Sequence, residues 1–169
     1  MRKGFTLIET MIYIGIISTI FFSFVMFALS IGNSKAKTIA VQEVQSNGRL
    51  ALEVLTNRIM SANAVNIGTS TFGSDPGVLS LGMDDTAKNP TIINLTVNDG
   101  FLQITEGLSA PVALTTDKVK VTNLVFTNLT GAAARKNIRI QMTISYVNPS
   151  GDVNYNYTEN FQTAVSLRQ

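Results

Sequence analysis

Arg2-Lys3-Gly4-Phe5-Thr6-Leu7-Ile8-Glu9-Thr10 leads into MIYIGIISTIFFSFVMFALSI, residues 11–31. These 21 positions hold no Asp, Glu, Lys or Arg. At about 1.5 Å per residue, ~20 apolar residues span the roughly 30 Å hydrocarbon layer of a bilayer, so the run predicts a membrane-crossing helix. Arg2 and Lys3 stand just before it, and the positive-inside bias keeps that end in the cytoplasm. The rest of the chain is then exported. An ordinary secretory signal fits less well, because the run exceeds a signal's apolar core and no small-x-small cleavage site follows it.

Outside this stretch the 169-residue chain reads as one polar, Asn- and Thr-rich globular domain. Charged residues are only 14% of the whole, about half the usual share. Net charge is +2, but without residues 1–4 there are 11 basic and 11 acidic side chains, so the basic balance is no argument for nucleic acid. Cys and His are both absent. Disulfides, thiol nucleophiles, imidazole bases and the usual zinc ligand sets are thereby excluded. No glycine-rich phosphate loop occurs either. An enzyme is not expected, and neither is a cofactor or a metal.

Glu9 is the informative residue. A carboxylate costs about 2.5–3.5 kcal/mol at the centre of a membrane helix and less near the interface, so its presence calls for a partner. Lys3-Gly4-Phe5-Thr6-Leu7-Ile8-Glu9 resembles the cleavage and methylation motif of type IV prepilins and pseudopilins: basic residue, Gly, Phe, short apolar stretch, Glu and long apolar run, in that order. The resemblance implies that a prepilin peptidase cuts between Gly4 and Phe5 and methylates the new Phe5 amine. It implies that Glu9 pairs with the N-terminal amine of a neighbouring subunit during filament assembly. Gly4 suits a narrow protease site because it lets the backbone lie extended without a side chain in the way. Many major pilins carry a proline within the membrane helix; here Gly15 and Gly32 are the only breakers, which favours a minor subunit.

Beyond Ile31 the composition turns polar at Gly32-Asn33-Ser34-Lys35-Ala36-Lys37, and a second helical pattern begins. Ala40, Val44, Gly48, Ala51, Leu55, Ile59 and Ala62 recur at spacings of three and four, which marks one apolar stripe. One helix is therefore expected from Phe5 to about Ala62, roughly 85 Å long and bent near Gly32. Strands follow. Val78–Met83 is short, Ile92–Val97 and Phe101–Thr105 form a hairpin around Asn98-Asp99-Gly100, and Val112–Thr115 is another short one. Val119–Leu129 and Ile138–Val147 alternate well, and Val153–Leu167 returns after the turn at Pro149-Ser150-Gly151-Asp152.

The expected fold is α+β and pilin-like, with the long helix packed on one antiparallel sheet of five to seven strands. Its parts are a leader (1–4), a transmembrane and assembly helix (5–31), an amphipathic continuation (32–66) and a β-rich head (67–169). The C-terminal half, closing on Thr163-Ala164-Val165-Ser166-Leu167-Arg168, resembles the J-type minor pseudopilins of type II secretion. The resemblance implies a structural subunit of a type IV pilus or secretion pseudopilus, anchored by a single pass in the inner membrane with its head outside the cytoplasm. Its partners would be other pilin or pseudopilin subunits, the prepilin peptidase, the membrane assembly platform and lipid. The alternatives are a competence-type subunit that contacts DNA and a single-span binding protein that never polymerises. Arg135, Lys136 and Arg139 are the basic cluster for DNA, a weak case without interleaved aromatics. Asp84 and Asp85 lack the alternating spacing of a calcium loop and read as a solvated turn. Tyr146, Tyr155 and Tyr157 read as packing residues.

Overall fold

The computed structural model describes residue 4 and residues 6–96, 98–130 and 136–168. A single helix, α1 (Leu7–Ser61), runs for 55 residues, about 80 Å at the α-helical rise. Thr6 opens it in extended conformation, and its hydroxyl accepts the Glu9 amide at 3.3 Å. Ala62 ends it, its own amide returning to the Ile59 carbonyl. The helix runs through Gly32 without interruption. A glycine costs a helix about 1 kcal/mol relative to alanine, but it leaves the i→i−4 ladder intact where a proline would break it.

Among the described residues eight strands follow: β1 (Ala64–Val65), β2 (Leu79–Gly82), β3 (Thr91–Leu95), β4 (Leu102–Glu106), β5 (Val112–Ala113), β6 (Val119–Asn128), β7 (Asn137–Tyr146) and β8 (Thr158–Ser166). All neighbours are antiparallel. They do not form the single sheet expected from the sequence. β1 to β5 make one sheet in chain order, and β6-β7-β8 make a second. The free side of β6 is occupied by loops instead of a strand: Gly73 and Gly77 donate to the Phe126 and Leu124 carbonyls, and Val121 donates to Gly100.

Three further expectations are corrected. β6 does not alternate throughout, because the register shifts between Val121 and Asn123. That bulge brings Val119, Val121, Leu124 and Phe126 all inward despite their uneven spacing. The β3–β4 turn spans Thr96 to Phe101, with Leu95 opposite Leu102, so it is wider than a tight Asn-Asp-Gly turn. Thr96 closes it by accepting the Phe101 amide on its hydroxyl, and Gly100 takes φ +66° there, where a Cβ would strike Lys120. The last strand starts only at Thr158, because Asp152 caps a 3-10 turn over Val153–Tyr155.

The core lies where the second half of α1 meets both sheets. Val44, Ala51, Leu55 and Ile59 are buried against Leu79, Leu81, Ile93, Leu102, Leu124, Phe126, Ile138, Ile140 and Ile144 in one cluster. Each fully buried Leu, Ile or Phe contributes about 1.5–3 kcal/mol. The whole expected stripe, Ala40 to Ala62, is buried. Gly48 belongs to it for a steric reason: the Phe161 ring of β8 sits where a Cβ would project. The shown class is thus α+β, one long helix packed on antiparallel sheet.

Candidate functional site

From Thr6 to Lys35 every described residue of the chain except Glu9 is exposed, and Ala36 is the first to be buried. Apolar side chains dominate this arm; Phe21 is 68% exposed and Ile14 65%. An apolar surface of this extent is unusual on a chain in water, and α1 is long and apolar enough to cross a membrane. Its hydroxyls suit lipid. Ser18, Thr19 and Ser23 each donate to the carbonyl four residues back, at 2.7–2.9 Å, and Thr10 donates to Leu7. Hydroxyls bonded back onto their own helix carry no unmet donor into hydrocarbon.

Glu9 stands in the first turn of this arm, half-buried and the only charged residue between Leu7 and Ser34. Two neighbours hold it. Its amide is taken by Thr6, in the Thr-x-x-Glu spacing of a capping box. Its Oε1 accepts the Tyr13 phenol at 3.4 Å, one turn on. The positive end of the helix dipole favours a carboxylate there by about 0.3–1 kcal/mol. The arrangement presents a pre-positioned anion, with remaining lone pairs, near one end of a bare apolar helix. It suits the binding of a cation that approaches from outside the chain.

Gly4 is exposed, and a Cβ there would meet nothing within 4 Å. Arg2, Lys3 and Phe5 lie outside the described residues, as does Arg135. The sequence reading missed the roles of Thr6 and Tyr13, although the Thr-x-x-Glu spacing and the i,i+4 Glu–Tyr pair are both visible in it.

Elsewhere the polar groups are engaged in structure. Asp84 accepts Asn63 Nδ2 at 2.6 Å. Asp85 caps the 3-10 turn Thr86–Lys88 and pairs with Lys88 at 3.6 Å. Among the described residues no three His, Cys, Asp or Glu side chains are grouped to hold a metal ion. The ion pairs Arg58–Glu106 (2.8 Å) and Lys118–Glu43 (3.3 Å) tie α1 to the sheet side of the head. Asn47 does the same from a buried position, its Oδ1 accepting the Thr116 amide at 2.9 Å. Tyr146 and Tyr155 stack with ring centroids 5.9 Å apart. No family model, no curated protein and no solved structure matches this chain.

Proposed function

We propose that this chain is a non-enzymatic structural subunit of a pilin-like filament, of the type IV pilus or type II secretion pseudopilus kind, and a minor one. The observation that carries the reading is the lone half-buried carboxylate of Glu9 at the head of an uncovered, membrane-length apolar helix. An anchor alone needs no charge there. A subunit that packs its helix against others in lipid does, because a carboxylate and an amine that are each costly alone stabilise one another as a pair and set the axial register. Residues 1–4 are the leader, removed by a prepilin peptidase on the cytoplasmic side, and Phe5 is then methylated. α1 crosses the inner membrane once, with the head on the far side. Other subunits cover the apolar arm in the filament, delivered by a membrane assembly platform.

Mass spectrometry of the protein from its host tests the processing step. The expected N-terminal peptide begins at N-methylated Phe5. A chain that starts at Met1, or beyond residue 31, overturns it.

A further inference from the structure

The end of the head that lies nearest the apolar arm is the β7–β8 connection, residues 147–157. Asn154, just before β8, reaches Asn33 of α1 (Nδ2 to Oδ1, 3.4 Å), and Arg168, just after β8, donates its amide to the Met60 carbonyl at 3.3 Å. The helix climbs about 40 Å between those two contacts, and the strand covers a similar distance, so the two run side by side in one direction. Asn33 is the second residue past Ile31, where the apolar run stops.

The connection has a fixed shape. Asn148 Nδ2 donates to the Asp152 carbonyl and to Asn156 Oδ1, both at 2.7 Å, and Asp152 Oδ1 accepts from the Asn154 amide and side chain at 3.0 and 2.9 Å. The one acidic group of the segment is therefore spent on its own turn. The outward face is mixed: Val153 is 79% exposed at the turn and Val147 and Pro149 are exposed too, beside exposed Ser150, Asp152 and Asn156, and the Tyr146–Tyr155 stack lies in the same segment. Tyrosine favours the membrane–water boundary. Lys35 and Lys37 are exposed on the adjoining turn of α1.

We propose that residues 147–157 form a foot that rests on the phospholipid surface of the membrane crossed by α1. Val153 enters the headgroup layer, and Lys35 and Lys37 meet lipid phosphates. The foot holds the unassembled subunit's head against the bilayer. This rests on the reading of residues 11–31 as a membrane span.

The chain contains no cysteine, so single reporters are easily placed. Full-length variants Ile20→Cys, Ser150→Cys and Leu108→Cys carry an environment-sensitive fluorophore in phosphatidylethanolamine/phosphatidylglycerol vesicles with spin-labelled lipids as quenchers. Leu108 is the distant control, fully exposed two residues from Glu106, which pairs with Arg58 near the far end of α1. The expected result is deep quenching at position 20, shallow quenching at 150 and none at 108. Adding Val153→Asp to the Ser150→Cys chain abolishes the quenching, and Lys35→Gln or Lys37→Gln each lowers the docked-to-free ratio about fivefold. Quenching at 20 with none at 150, or quenching at 150 that ignores Val153→Asp, overturns the foot and leaves the span intact. No quenching at 20 overturns both.

Discussion

Glu9 and Gly48 show how much a single position can carry. Thr6 and Tyr13 engage the amide and carboxylate of Glu9 without neutralising the charge. A substitution that keeps shape and removes charge therefore separates the cap from the proposed pairing. In Glu9→Gln, cleavage after Gly4 is expected to proceed normally while the variant is lost from sheared filaments, as read by immunoblot of membrane and filament fractions. Wild-type incorporation would rule out charge pairing. Gly48 is a packing position. In Gly48→Val the added methyls collide with the Phe161 ring, and overpacking of this kind costs about 1–3 kcal/mol. Thermal unfolding of the full chain in detergent should show the lowered midpoint, and an unchanged one would mean that Phe161 swings away freely.

At the scale of elements, α1 is two surfaces in one continuous helix. Its first half has no covered side, while its second half buries one stripe from Ala36 to Ile59. The stripe was fully legible, because spacing of three and four is the signature of a helix with one apolar face. Strands were less so. Val119, Val121, Leu124 and Phe126 break strict alternation, and only the bulge after Val121 explains how all four point inward. The start of β8 was misread, since Val153, Tyr155 and Tyr157 alternate as a strand would. Local capping by Asp152 wins over Val153–Tyr155, and pairing with β7 begins only at Tyr157, whose carbonyl accepts the Tyr146 amide.

The whole head is two antiparallel sheets that share one core and are joined by loop contacts along β6. Asp75 is the most specific of these, its Oδ1 accepting the Leu124 amide at 2.7 Å while Gly77 donates to the Leu124 carbonyl. Removing one partner of such a bond leaves a part-buried donor unpaired, at about 1–3 kcal/mol. Asp75→Ala is therefore expected to destabilise the head by that amount and to speed hydrogen exchange at the Leu124 amide. Unchanged exchange would show that the second sheet is held without this loop. The same loops account for the missed division into two sheets. No periodicity in the chain distinguishes a strand edge covered by Gly73 and Gly77 from one covered by another strand.

By itself the sequence determined the long helix, its division at about residue 32, the buried stripe, the antiparallel head and the isolated carboxylate of Glu9. All of these follow from local rules of spacing, hydropathy and charge. Only the tertiary structure decided that the described strands divide into two sheets and that the β7–β8 connection ends beside Asn33. Those outcomes depend on which distant groups meet: Phe161 over Gly48, Asp75 on Leu124, Asn154 at Asn33. Contacts across such separations leave no periodic trace in the chain, because each is set by how the elements dock and not by the residues beside it.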